Sequence, residues 1–286
     1  MLTQNVRINS KLMIRNLHYI DTGFFKLDGG AMFGVVPKTM WSKLNPPDEN
    51  NMCTWAMRCI LLETESRLIL VDTGMGNKQD AKFMSHFHPH GDASLLNSIS
   101  KLGYSPEDIT DVILTHLHFD HCGGAVSKSE SGSLFSTFPK AVYWSNEKHY
   151  KWAFSPNDRE KASFLKENFV PLVESNQLEY YRESHPLWPK EIQVKMSNGH
   201  TEAMMVCEFN FQDGHYVYCA DLLPSSYHIS IPFIMAYDIR PLDSIAEKQK
   251  LLHAAATSNH NLIFEHDPLV SHKKVKFNDL NKIILA

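Results

Sequence analysis

Thr115-His116-Leu117-His118-Phe119-Asp120-His121 is followed directly by Cys122-Gly123-Gly124 and preceded by the apolar run Val112-Ile113-Leu114. The stretch places three histidines and one aspartate within six positions. Imidazole and carboxylate are ligands that a borderline-soft cation such as zinc binds in proteins. The short apolar run before them is typical of a buried strand. The sequence therefore predicts a metal site at the end of a strand.

The whole chain has the composition of a globular protein with a sizeable core, since 43% of its 286 residues are hydrophobic and 21% are charged. Its length fits one large α/β domain or two small ones; no Gly/Ser linker divides it, and we predict a single domain over residues 1–286. The formal net charge is -4, without a long basic block. This balance argues against nucleic acid as a partner, because phosphate binding needs a basic surface.

The cysteines and the N-terminus indicate the compartment. Five cysteines without a CxxC pair favour a reducing compartment over a disulfide framework. We interpret Cys122 as a small buried residue and not as a ligand. Residues 1–7 lack the apolar core of a signal peptide, and no apolar run is long enough to span a bilayer. We predict a cytoplasmic protein without membrane contact.

Several predicted strands end in a histidine or an aspartate, which is where α/β folds build sites. Residues 56–62, 67–71, 216–220 and 262–265 are predicted strands, and residues 158–174 and 242–256 are predicted helices. The last three strands are followed by Asp72, Asp221 and His266. The long aromatic-rich segment 127–195 is predicted to be an excursion, serving either as outer-layer packing or as a lid over the metal site.

The order of these motifs resembles the metallo-β-lactamase superfamily. The matching pieces are Asp72-Thr73-Gly74, residues 116–124, Gly199-His200-Thr201, Ala220-Asp221 and Glu265-His266. Residues 27–37 are similar to the branch that contains methyl parathion hydrolases and N-acyl-homoserine lactonase-like enzymes. The resemblance implies an αβ/βα four-layer sandwich with two metals, usually zinc, with iron or manganese as alternatives.

The resemblance also implies a ligand set. The first metal would be held by His116, His118 and His200, the second by Asp120, His121 and His266, and both by the bridging Asp221. In an extended chain positions 116 and 118 project the same way whereas 120 and 121 diverge, so one segment can serve two ions. Asp72 is expected to orient a ligand imidazole from behind. Thr115 and Thr201 are expected to make local hydrogen bonds.

The sequence defines the catalytic residues less closely than the candidate metal ligands. Homoserine-lactone hydrolases commonly place a tyrosine three residues after the bridging aspartate, and this chain has Pro224 there. Tyr227 and His228 are the candidates to replace that tyrosine, with Tyr237 as a further one, and Asp120 is the candidate proton acceptor. A second cluster, His86-Phe87-His88-Pro89-His90, lacks a carboxylate partner and is interpreted as lying outside the site.

The predicted function is zinc-dependent hydrolysis of a small ester, lactone or organophosphate triester. Two metals that share Asp221 would lower the pKa of a shared water and supply a bridging hydroxide. The alternatives are a thioester or β-lactam hydrolase and a mononuclear iron sulfur dioxygenase. A purely structural site is disfavoured, because such zinc sites usually close with four ligands. We expect a small-molecule substrate as the partner, and the sequence is compatible with a homodimer.

Overall fold

The computed structural model describes residues 13–212 and 214–286. The prediction that residues 1–7 lack the apolar core of a signal peptide therefore lies outside the described part. The strands of the described residues are β1 (Asn16–Asp28), β2 (Met52–Glu63), β3 (Leu68–Val71), β4 (Asp111–Ile113), β5 (Val126–Lys128), β6 (Leu134–Ser136), β7 (Val142–Ser145), β8 (Leu178–Tyr180), β9 (Gln193–Ser197), β10 (Met204–Phe211), β11 (Gly214–Tyr218), β12 (Asn261–Ile263), β13 (His272–Lys273), β14 (Val275–Phe277) and β15 (Ile283–Leu285). The α-helices are α1 (Gly29–Phe33), α2 (Lys38–Trp41), α3 (Ala81–Phe87), α4 (Leu95–Lys101), α5 (Phe119–Cys122), α6 (Glu147–Phe154), α7 (Val170–Glu174) and α8 (Pro241–Ser258).

Two mixed sheets form the centre of the fold. The first has the strand order β1-β2-β3-β4-β7-β8 and the second the order β13-β12-β11-β10-β9. The neighbours β3, β4, β7 and β8 run parallel, as do β11 and β12, whereas the remaining neighbouring strands of the two sheets are antiparallel. Two small hairpins, β5-β6 and β14-β15, lie beside them.

Alternating side chains of the first sheet enter two different cores. In β2, Ile60 and Leu62 belong to a core shared with the second sheet, whereas Leu61 belongs to a core shared with Leu95 of α4. This is the period of two that a strand imposes. Leu252 of α8 packs into the core of the second sheet. The layers are therefore helix, sheet, sheet and helix, and the predicted αβ/βα sandwich is confirmed.

Four strands deliver polar side chains to one edge of this sandwich. β3 ends at the residue before Asp72, and β4 ends three residues before His116. In the second sheet, β11 ends three residues before Asp221 and β12 three residues before His266. Because the carboxyl ends of parallel strands share an edge, these loops meet there.

The predicted helix over residues 158–174 is wrong for most of its length. The α-helix is limited to α7, which has a proline in its first turn, and a short 3-10 turn spans Lys166–Asn168. The preceding loop, residues 155–165, turns Glu160 and Phe164 inward as buried residues. Segment 127–195 also contributes β7 and β8 to the first sheet, so part of the predicted excursion belongs to the sandwich itself.

Two further observations concern the cysteines and the helices. All five cysteines are free and buried, including Cys122, whose thiol points to the carbonyl of Leu117 at 3.3 Å. Within residues 13–212 and 214–286, no helix is both long and apolar enough to cross a membrane.

Candidate metal centre

Three histidines surround one oxygen of Asp221. Its Oδ2 lies 3.1 Å from Nε2 of His200 and 3.9 Å from Nε2 of His116. Nδ1 of His118 lies 3.2 Å from the same nitrogen of His200. All four side chains are buried, and their ligand atoms lie within 4.8 Å of one another. We call this group cluster 1 (His116, His118, His200 and Asp221).

A second buried group, cluster 2, consists of Asp120, His121 and His266. The Nε2 atoms of His121 and His266 are 3.2 Å apart, and Oδ2 of Asp120 lies 3.8 and 3.7 Å from them. Oδ1 of Asp221 lies 3.1 Å from Nε2 of His266 and 3.5 Å from that of His121. Asp221 therefore directs one oxygen to each cluster, and the structure brings together all seven residues that the resemblance implied.

The nitrogens of His266 and His200 that face away from the clusters have protein acceptors. Nδ1 of His266 lies 2.8 Å from the carbonyl oxygen of Ala56, and Nδ1 of His200 lies 2.9 Å from Oδ1 of Asp238. Such contacts fix the ring orientation and leave the other nitrogen free for a metal. Asp238 carries no motif, and sequence reasoning missed it.

Asp72 orients His121 in the way that was expected of it. Its Oδ2 lies 3.2 Å from Nδ1 of His121 and accepts a hydrogen bond from the hydroxyl of Thr115 at 2.6 Å. The sequence analysis included Glu265 in the matching pair Glu265-His266 but gave it no role; its Oε2 lies 3.0 Å from the same nitrogen. Burial raises the pKa of Glu265 to about 8, which favours its protonated form near neutral pH.

The donor set of both clusters fits a divalent cation. Nε2 of His116 and Oδ1 of Asp221 are buried without a hydrogen-bond partner, and native proteins rarely leave buried polar atoms so. Burial and the neighbouring imidazoles lower the pKa of His116 well below its usual value, so the ring is neutral, as a metal ligand must be. The separations of 3.1 and 3.9 Å around Asp221 are close to the ~3.4 Å expected between ligands of a tetrahedral zinc ion. Both clusters are therefore candidate metal sites.

Glu160 reaches cluster 1 from the loop 155–165. Its Oε1 accepts a hydrogen bond from the hydroxyl of Thr201 at 2.6 Å and lies 3.7 Å from Nε2 of His118. Its Oε2 accepts a hydrogen bond from the indole of Trp152 at 2.8 Å. Burial opposes ionisation, but the contact with His118 and these hydrogen bonds outweigh it and lower the pKa of Glu160 to about 2. An ionised Glu160 therefore supports the ring of His118 from behind.

His149 of α6 connects the two segments that carry cluster 1. Its Nε2 accepts a hydrogen bond from the backbone N–H of Leu117 at 2.8 Å, and its Nδ1 donates to the carbonyl of Glu202 at 2.6 Å. Burial lowers the pKa of His149 to about 4. Only the neutral ring can make both bonds, because a protonated ring has two donors and no acceptor.

A cavity of about 390 Å³ opens onto both clusters. Its polar lining includes Asp120, Glu160 and Asp221, and its rim includes Arg159 and Tyr237. Its apolar wall is formed by side chains from five segments of the chain: Leu27, Met32, Phe87, Phe119 and Met235. A concave site with apolar walls and a few convergent polar groups is typical of small-molecule binding.

The structure corrects the placement of Tyr227 and His228. Nδ1 of His228 lies 2.7 Å from Oγ of Ser225 and its Nε2 lies 2.9 Å from the carbonyl oxygen of Met32, so both nitrogens are engaged in the interior. Tyr227 lines a different cavity. Tyr237, the further candidate, lines the cavity over the clusters. The chain turns after Asp221, and closeness in sequence therefore does not become closeness in space.

The second histidine cluster lies elsewhere. His86 is in the last turn of α3, His88 ends that helix in a left-handed conformation, and His90 forms an isolated bridge with Phe24. Across the described residues, the groups of side chains arranged to hold a metal include none of these three histidines.

Residues 58–266 match the metallo-beta-lactamase superfamily. Because this match covers most of the chain, the chain belongs to that superfamily. The predicted superfamily is thereby confirmed. The family agrees with the fold and with the two candidate metal sites described above.

Individual relatives support a lactonase-like branch. Over 123 residues the chain is 32% identical to an N-acyl homoserine lactonase from Bacillus thuringiensis, and the match covers 40% of this chain and 45% of that protein. The chain thus spans about half the length of the curated relatives it matches. A probable metal-dependent hydrolase from Staphylococcus aureus has a similar structure, with a TM-score of 0.83 and 29% identity over 95% of this chain and 96% of that one. AidC, a dizinc quorum-quenching lactonase, shares the fold with a TM-score of 0.76 and 20% identity over 94% of this chain and 93% of that one.

Proposed function

We propose that the chain is a dinuclear zinc-dependent hydrolase of a small ester, lactone or organophosphate triester. The observation that carries this proposal is the position of Asp221, whose two oxygens face different clusters at the floor of one cavity. When bound, the two metal ions would lower the pKa of a water and polarise the oxygen of the substrate's carbonyl or phosphoryl group.

Two residues of the cavity have roles in proton transfer and orientation. Asp120, a member of cluster 2, lines the cavity, and its carboxylate would accept the proton of the attacking water. Tyr237 lines the same cavity. Burial and the carboxylate of Asp120 raise the pKa of Tyr237 above its usual value, so the hydroxyl keeps its proton. It can therefore donate a hydrogen bond to an oxygen of the substrate.

The apolar wall favours a substrate with an acyl or aryl substituent. Phe87 and Phe119 are packed with ring centroids 4.5 Å apart, and Phe119 lies between the ligands His118 and Asp120 in the chain. Such a wall excludes water from the bound substrate and buries its apolar part. The name of the Bacillus thuringiensis relative, an N-acyl homoserine lactonase, supports the same substrate class.

The test is a screen of the zinc-loaded protein against lactones, aryl esters, phosphotriesters, thioesters and β-lactams, with the bound zinc counted by mass spectrometry. We expect two zinc ions per chain and hydrolysis in the first three classes. Asp221→Ala should lose both zinc and activity. Asp158→Ala is the matched control, since that side chain is 99% exposed and, within the described part of the chain, pairs with Lys161 alone.

Full activity of metal-free Asp221→Ala would overturn the proposal. Oxygen consumption with a thiol substrate, without any hydrolysis, would replace it with the sulfur dioxygenase alternative. Hydrolysis confined to thioesters or β-lactams would retain the metal chemistry and change the substrate class.

A further inference from the structure

Arg159 is a cation at the rim of the metal-site cavity whose acidic neighbours in the chain are engaged elsewhere. Asp158 pairs with Lys161 at 2.9 Å. Glu160 points inward, and its Oε1 accepts a hydrogen bond from the hydroxyl of Thr201 at 2.6 Å. Arg159 lines the cavity, and neither of these two carboxylates is paired with its guanidinium among the described residues.

The guanidinium is held in place by one backbone contact. Its Nη2 donates to the carbonyl of Ala236, and the N–H of Ala236 donates to the carbonyl of Ala31 at 2.7 Å. Arg159, Ala236 and the neighbouring Tyr237 therefore form one side of the rim. A guanidinium has five N–H donors, so this contact leaves donors available for a ligand.

The other charged groups of the cavity do not compete for Arg159. Asp120 and Asp221 belong to the two metal clusters. The two oxygens of Glu160 accept hydrogen bonds from the hydroxyl of Thr201 and from the indole of Trp152. A planar guanidinium beside an apolar wall is well suited to bind a carboxylate with two parallel hydrogen bonds.

We propose that Arg159 recognises a carboxylate of the substrate, and that the substrate class is an ester or lactone that itself carries an anionic carboxylate. The simplest representative is the hemiester of a dicarboxylic acid. Its hydrolysis consumes one water, breaks the acyl–oxygen bond and releases an alcohol, the dicarboxylate and one proton. This assignment rests on the proposed hydrolase function and specifies its substrate.

The test compares two ligands, adipate and its monoamide, by isothermal titration calorimetry with the zinc-loaded protein. Both ligands share one carboxylate and differ only in the charge of the second group. We expect the wild-type protein to bind adipate roughly tenfold more tightly. Arg159→Met should bring this ratio close to one, and Arg159→Lys should leave an intermediate ratio, because lysine keeps the charge but loses the planar fork.

Lys161→Met is the matched control, since it removes a positive charge from the same loop at a side chain that is 64% exposed and paired with Asp158. It should retain the wild-type ratio. The melting temperature of each variant is measured to check that its fold is intact. A wild-type ratio near one, or an unchanged ratio in Arg159→Met, would overturn the assignment.

Parallel hydrolysis assays with monoethyl and diethyl adipate separate the two proposals. If the binding ratio is as expected but no ester is cleaved by the protein in any assay, carboxylate recognition stands and the hydrolase proposal fails. If esters are cleaved while the binding ratio is near one, the hydrolase stands and the role of Arg159 is refuted.

Discussion

Oδ1 of Asp238 lies 2.9 Å from Nδ1 of His200, although 38 positions separate the two residues in the chain. Asp238 is buried, and the loop that carries it also carries Tyr237 at the rim of the cavity. The same short segment therefore orients a candidate ligand and shapes the entrance for the substrate.

The first prediction concerns this contact. Asp238→Ala removes the acceptor that orients the ring of His200, and zinc affinity should fall by roughly 10–100-fold. Competition with a fluorescent chelator measures the change. Asp158→Ala provides the control and should keep the wild-type affinity, because its side chain is exposed. An Asp238→Ala protein with unchanged zinc affinity would contradict the role of Asp238.

The second prediction concerns Tyr237. Tyr237→Phe removes the hydroxyl that we propose donates to the substrate oxygen, and kcat should fall by about 100-fold with a smaller change in KM. Steady-state kinetics on the best substrate of the screen measure both values. Tyr227→Phe is the matched control, since Tyr227 lines another cavity. Equal effects of the two substitutions would argue against Tyr237 as a hydrogen-bond donor in the reaction.

The third prediction concerns pH and His149. The pKa of His149 is about 4 in the folded protein, against 6.5 for an ordinary histidine. Between these values the unfolded chain binds the proton and the folded protein does not. Stability is therefore highest above pH 6.5 and falls as the pH decreases towards 4, with a loss of about 2 kcal/mol between pH 7 and pH 5.

His149→Gln has no group that titrates in this range and should lose less stability over the same pH interval. Urea unfolding at pH 7 and pH 5, in the presence of a chelator, measures the difference from the wild-type protein. His86→Gln is the control, because His86 is exposed. A wild-type pH dependence in His149→Gln would show that another group is responsible.

The fourth prediction concerns Lys248 of α8. This buried side chain donates to the carbonyls of His228, Ser230 and Phe233 at 2.8, 2.9 and 2.8 Å. Lys248→Met leaves three carbonyls without a donor and should cost roughly 2–4 kcal/mol of stability. The melting temperature reports this loss, and the exposed Lys250→Met should leave it unchanged. Equal melting temperatures for both variants would refute the prediction.

The fold was largely predictable from local patterns. β2 and β3 follow from runs of apolar residues around a polar turn, and α8 follows from apolar positions at helical spacing. The ends of the elements were predicted less accurately, since β11 and β12 each end two residues before the predicted strand end. In both cases the last residues leave the sheet and form the loop that aims Asp221 or His266. Hydrophobicity alone does not mark that departure.

The supporting residues of the site were not predictable. Glu160, Asp238 and His149 have no motif, and each contacts the site across 32 to 41 positions of the chain. A single sequence contains no information about which distant segments touch. The predicted helix over residues 158–174 also concealed Glu160, because a regular surface helix would not turn that carboxylate into the core.

By itself the sequence determined several strands and helices from patterns within short stretches, and its motifs carried the resemblance that implied the superfamily, the sandwich and the candidate ligands. Only the tertiary structure decided which oxygen of Asp221 faces each cluster and that Tyr237, and not Tyr227, lines the cavity. It also decided that Arg159 lines that cavity beside Ala236. These features depend on the direction that the chain takes after each strand ends, and contacts between distant segments set that direction.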